Sequence, residues 1–230
     1  MIEVNIRYRA RVDESIEERH QQIMAGLLQI DPPWGLKGRT PPPAPDIGAE
    51  LVAQVNLAPL LGAGMLGGLF YSFRSEAYLR DEAAVDDILL IRFDPNRGDY
   101  TNLVSSVFPQ YVTAFNAYRG TIFLNNTLVI DDRQEIVRLY RETGKDVNGR
   151  DGVYRINTVN YFDRELCRRA FNLSPEEIAH RLEGKVERVS LLLDGVLLIV
   201  TSELLDRTEL EKVDAMVRGY LGVELVATRR

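Results

Sequence analysis

The residues best suited to chemistry in this sequence are a glycine run, two histidines and one cysteine. Gly62-Ala63-Gly64-Met65-Leu66-Gly67 has the G-x-G-x-x-G spacing that lets backbone amides at a helix start approach a pyrophosphate. Asp81 and Glu82 follow roughly 20 residues on, where the ribose-binding carboxylate of such sites falls. The context differs, because Gly68-Leu69-Phe70-Tyr71-Ser72-Phe73 alternates like a strand and does not open a helix. The glycines read better as close backbone packing, with a nucleotide-dependent enzyme as the alternative. His20 and His180 each lack a second histidine or cysteine at metal-ligand spacing. His20 falls on an apolar helix face, as a hydrogen-bonded core histidine does, and His180 lies beside Arg181, off the Ile178/Leu182 face, as a solvated one does. Cys167, alone on an Arg-rich segment, reads as a small buried hydrophobe before it reads as a nucleophile. No G-x-S-x-G elbow, Walker loop or H-E-x-x-H motif occurs. No catalytic, cofactor or metal residue is assigned, and the expectation is a binding protein and not an enzyme.

Charge says more about a partner. The formal charge of −6 opposes nonspecific nucleic-acid binding, which needs clustered Lys and Arg. Between Glu76 and Asp99 seven acids face three arginines; between Asp194 and Asp214 six acids face Arg207 and Lys212. If exposed, Asp81, Glu82, Asp86 and Asp87, with Glu203 and Asp206, form an acidic surface that steers a basic partner; the alternative is an ordinary solvated face. Trp34, the only tryptophan, either anchors a partner or staples its Pro-rich loop to the core.

These residues need a scaffold, and the periodicity outlines one. Ile2, Val4, Ile6 and Tyr8 alternate as a strand, and Asp13 precedes a helix presenting Ile16, His20, Ile23, Met24, Leu27 and Leu28. Six prolines in residues 32–45 forbid helix and central strand, leaving an extended loop packed across one domain. The apolar stretch 57–73, 17 residues with four glycines, is too short and too broken for a membrane span, which needs about 20 apolar residues. Strands are expected at 88–93, 121–130 and 153–159, and helices at 103–115 (where Pro109 kinks the helix or marks the start of a second one), 131–142, 163–171 and from Ser174-Pro175 onward. Asp194-Gly195 joins strands 186–193 and 196–201 in a hairpin, and a last helix from Thr208 to Leu221 turns Leu210, Val213, Met216, Val217, Tyr220 and Leu221 inward before Gly222. The mixture without βαβ regularity predicts a single α+β domain over residues 1–230, its sheet largely antiparallel with helices packed on it. The lone cysteine excludes an intrachain disulfide, and residues 1–7 do not resemble a signal peptide, so a cytoplasmic protein is expected.

Three stretches carry a family resemblance: Asp31-Pro32-Pro33-Trp34-Gly35, Phe108-Pro109-Gln110-Tyr111-Val112-Thr113-Ala114-Phe115, and Leu193-Asp194-Gly195-Val196-Leu197-Leu198-Ile199-Val200. Together they resemble the immunity proteins of bacterial polymorphic toxin systems, in particular those encoded beside type VI secretion toxins with a restriction-endonuclease-like domain. The resemblance implies a cytoplasmic α+β protein that binds a cognate nuclease toxin, with no cofactor and no catalytic residues of its own. A non-catalytic scaffold is the remaining alternative.

Overall fold

A computed structural model describes residues 1–46, 50–79, 85–124 and 127–223. The chain divides into two compact units, Met1–Gly120 and Thr121–Arg230. Both are α+β, and every strand pairing described below is antiparallel, as the sequence predicts.

The first unit contains β1 (Ile2–Arg9), α1 (Ile16–Leu27), β2 (Val52–Asn56), β3 (Leu66–Ser72), the single turn α2 (Glu76–Leu79), β4 (Asp86–Phe93), the short α3 (Tyr100–Asn102) and α4 (Phe108–Ala114). Its strands run in the order β2-β3-β4-β1, with Ile2 opposite Phe93, Leu66 opposite Arg92 and Val52 opposite Ser72. α1 starts at Ser15, not Asp13. Ser15 and Glu18 form a capping box, the hydroxyl accepting from the Glu18 amide at 3.1 Å and the carboxylate accepting from the Ser15 amide at 3.0 Å. Asp13 lacks a Glu or Gln three residues on and instead pairs with Arg11 in solvent. Pro109 marks where a second helix begins, one of its two readings: a π-helical stretch, Leu103–Val107, leads into α4, whose first turn tolerates the missing amide donor. The Pro-rich loop folds down on this unit. Trp34, 2% exposed, meets the Phe93 ring edge-on at 4.9 Å, and Tyr111 donates its hydroxyl to the Trp34 carbonyl at 2.6 Å.

β5 (Arg119–Leu124) carries the chain into the second unit, which contains α5 (Thr127–Thr143), β6 (Val159–Phe162), α6 (Arg164–Phe171), α7 (Pro175–Leu182), β7 (Arg188–Leu192), β8 (Gly195–Ile199) and α8 (Arg207–Leu221). The order there is β6-β8-β7. The Ser174 cap and first-turn Pro175 of α7 stand as read from sequence, as does the Gly222 stop of α8 with φ 69°.

Four expectations shift here. The strand expected to reach Ile130 ends at Leu124, and helix begins by Thr127. Residues 153–157 are not strand, because side chains occupy their backbone groups: Asp214 accepts from the Ile156 amide at 2.9 Å, and Arg218 donates to the Val153 and Tyr154 carbonyls. That same buried Asp214–Arg218 pair turns α8, so Val217 and Leu221 are buried while Met216 and Tyr220 stand exposed. The hairpin loop is Leu193-Asp194, with Leu192 opposite Gly195 and Leu193 at φ 51°. Gly195 serves a different purpose from the one its turn setting implies: a β-carbon there would lie 2.2 Å from the Phe162 carbonyl on β6.

Candidate functional site

The structure separates the predicted acidic surface into parts with different fates. Asp81 and Glu82 lie outside the described residues. Asp86 and Asp87, at the start of β4, are buried and cannot present charge to a partner, which corrects the sequence expectation. Asp87 is fully enclosed: its Oδ1 accepts from the Ser72 amide and Arg74 Nη1, each at 3.0 Å, and its Oδ2 from Arg74 Nη2 at 2.6 Å. Burial raises its pKa, an effect opposed by the Arg74 guanidinium. Arg74 also donates to the Glu14 carbonyl, fastening the approach to α1 onto the end of β3. Asp86 pairs with Arg7 at 2.9 Å and accepts from the buried Tyr118 hydroxyl. These two carboxylates therefore hold the first unit together. A charge count along the chain does not reveal this, because it is blind to Arg7 on β1 and Arg74 just past β3, which the fold brings against them.

Trp34 is likewise a core residue and not a partner anchor, again correcting one of the two readings. The glycine run leads into β3, as its alternation predicts, and not into a helix. β-carbons at Gly62 and Gly67 would strike the Pro33 and Leu61 side chains at 2.5 and 2.4 Å, so close packing accounts for both glycines. His20 is 3% exposed, with Nδ1 2.9 Å from the Tyr71 hydroxyl and Nε2 2.9 Å from the Pro42 carbonyl. A carbonyl can only accept, so Nε2 carries the proton and Nδ1 accepts from Tyr71. Both ring nitrogens are thus occupied in pinning the Pro-rich loop. His180 is exposed in the last turn of α7. Cys167 is buried on α6, and burial pushes its thiol well above the ordinary range.

Of the acids named for that surface, the described ones that reach solvent, Glu203 and Asp206, lie in the second unit. Glu203, Asp206, Glu209 and Glu211 are exposed at and before the start of α8, accompanied by Arg207, which pairs with Glu211. Asp206 also caps α8, accepting from the Glu209 amide at 2.9 Å. Among the described residues no group of three or more His, Cys, Asp or Glu could hold a metal ion, and no helix is long and apolar enough to cross a membrane.

One feature of the first unit escaped the sequence reading, a groove of about 600 Å³ between α1 and α4. Gly26 and Ala114 set its floor: a β-carbon on Gly26 would lie 2.4 Å from that of Ala114, so the helices meet nearly backbone to backbone. Arg19 lines one end and is 1% exposed. Its guanidinium lies 3.5 Å from the Tyr8 ring centroid and donates to the Phe115 carbonyl, while its Nε has no hydrogen-bond partner. Desolvation lowers its pKa. The sequence did hold a signal, because Arg19 stands three residues after Ile16 and four before Ile23, in phase with the apolar face.

No protein-family model and no curated protein matches the chain. Among solved structures it is similar to Pseudomonas aeruginosa T6SS protein PA0821, with a TM-score of 0.53 and 9% identity over 96% of this chain and 72% of that one. At that identity the likeness is one of fold.

Proposed function

We propose that this chain is a cytoplasmic immunity protein of type VI secretion, a non-catalytic protein that binds a cognate nuclease-type toxin and covers its active or nucleic-acid-binding surface. The observation that carries this reading is the likeness of fold, over 96% of the chain, to a protein named for that secretion system. It joins the resemblance of the three sequence stretches, which fall in the Trp34 loop, in α4 and in the β7–β8 hairpin. The side chains most suited to catalysis support a binding role: His20 spends both ring nitrogens on internal hydrogen bonds, and the Cys167 thiol is buried and held protonated.

With Asp86 and Asp87 internal, the acidic face for a basic toxin contracts to Glu203, Asp206, Glu209 and Glu211. Such a face acts chiefly on association rate and its salt dependence. The test is co-expression with the nuclease-type toxin encoded beside it, scored by cell survival and copurification. Absence of both protection and complex overturns the immunity reading. In a Glu203→Lys, Asp206→Asn, Glu211→Lys variant, where Asn keeps the helix cap, toxin association slows about tenfold at low salt. An unchanged rate removes the acidic face from the mechanism.

A further inference from the structure

We infer that the groove between α1 and α4 is a docking site for an extended segment of a partner protein that presents a carboxylate to Arg19. This deepens the immunity reading and rests on it for the partner being a protein. The argument begins with an uncompensated charge. Arg19 is 1% exposed, yet among the described residues no carboxylate forms an ion pair with it; its contacts are the Phe115 carbonyl, the Gln22 side chain at 3.4 Å and the rings of Tyr8 and Phe115. A buried guanidinium is costly without an anion, and its Nε is left without any acceptor. Two internal carboxylates act on Arg19 through space without bonding it: Asp87, whose oxygens are both engaged by Arg74, and Glu14, whose Oε2 is buried without a partner.

The groove is built to admit the missing group. In a chain with a net charge of −6, none of the lining residues is acidic, so local charge runs against the whole. Gln22 from α1 and Gln29 from the turn after it line the groove with Gln110 and Thr113 from α4, and all four are exposed. The Gln22 and Gln29 amides offer donors on one side; on the other Gln110 and Thr113 donate to the Ser106 and Pro109 carbonyls and keep their oxygens as acceptors, together the complement of a peptide backbone lying on the Gly26–Ala114 floor. Exposed walls make an open trough, whereas small-molecule sites enclose most of their ligand. An entering carboxylate replaces only the 3.4 Å bond to Gln22, at the outer limit for a hydrogen bond, and gains a charge-assisted one.

The test selects random heptapeptides, displayed with amidated C-termini, on the immobilised full chain. The expected result is a consensus with one dominant Asp or Glu, whose replacement by Asn or Gln weakens binding about tenfold. Binding to a Gln22→Glu, Gln29→Glu variant, altered only at exposed positions, falls about fivefold. The proposal is overturned by an empty selection, by a consensus without acid, by indifference to the wall substitutions, or by sodium glutamate binding the groove as tightly as the peptide. Toxin protection is scored separately, so a failed selection leaves the immunity reading standing, and a failed co-expression leaves the groove result intact.

Discussion

Removing Arg74 while leaving Asp87 in place isolates the energetic role of the buried carboxylates. In Arg74→Met the Asp87 carboxylate keeps the Ser72 amide but loses both guanidinium bonds, in a position with no solvent access. Stranding one member of a buried pair costs about 3–5 kcal/mol, and loss of the Arg74 bond to the Glu14 carbonyl contributes about 1 kcal/mol within that range. For a chain of this length each kcal/mol moves the melting temperature by about 2–4 °C, so a drop of about 6–20 °C is expected. The pH dependence distinguishes a stranded charge from simple loss of packing. Burial raises the folded pKa of Asp87 above its unfolded value, while Arg74 pulls it down. A carboxyl raised in the folded state holds its proton more tightly than the unfolded chain does. Its contribution to stability is therefore most favourable below the unfolded pKa and is lost as pH rises through the folded one. Deleting Arg74 raises the folded value further. The deficit of Arg74→Met against the natural chain should be fully present at about pH 7.5 and shrink to about 1 kcal/mol at about pH 4, measured by urea unfolding. Adding Asp87→Leu should restore most of the loss at neutral pH, because it removes the stranded charge. A deficit equal at both pH values, with no rescue, refutes the assignment of the cost to an unpaired carboxylate.

Three further outcomes follow from local geometry. Gly195→Ala forces a β-carbon against the Phe162 carbonyl and lowers stability by about 2–3 kcal/mol in chemical denaturation, and a loss under 0.5 kcal/mol contradicts the close approach. Leu193→Gly relieves a left-handed backbone at an exposed leucine and raises stability by about 1 kcal/mol in the same assay, whereas Leu193→Ile lowers it. His20→Ala strands the Tyr71 hydroxyl and frees the Pro42 carbonyl, costing about 2–4 kcal/mol and hastening proteolysis within residues 32–46; unchanged cleavage there would show that the loop is held by Trp34 and Leu36 alone.

The fold was legible where pattern and packing agree. Ile2, Val4 and Ile6 alternate and are buried in β1, and Ser174-Pro175-Glu176-Glu177 starts α7 through a cap that needs no tertiary partner. It was less legible where a distant side chain decides. Residues 153–157 have strand composition, but Asp214 and Arg218, some sixty positions away, take their backbone groups before another strand can. α8 has an apolar face on paper that includes Met216 and Tyr220, yet the Asp214–Arg218 pair turns them toward solvent. At Gly195 the residue type was diagnostic of a tight place while the reason differed: not the turn's dihedral angles but the proximity of β6.

The same reasoning explains why charge misled at β4 and why Arg19 went unseen. Asp86 and Asp87 are adjacent, so on a strand they point to opposite faces and would not both be buried against a single apolar layer. Both are buried because each face supplies its own cation and hydroxyl or amide: Arg7 and Tyr118 for Asp86, Arg74 and the Ser72 amide for Asp87. Arg19 inverts the case. It occupies a core phase of α1 with the rings of Tyr8 and Phe115 against its guanidinium, and among the described residues no carboxylate forms an ion pair with it, Glu14 and Asp87 acting only through space. A charge with its counterion inside the fold serves stability, whereas a charge enclosed without one retains capacity for an external partner. On that criterion the functional residues of the first unit are sought at Arg19 and the trough above it, not among the acids that a local count puts forward.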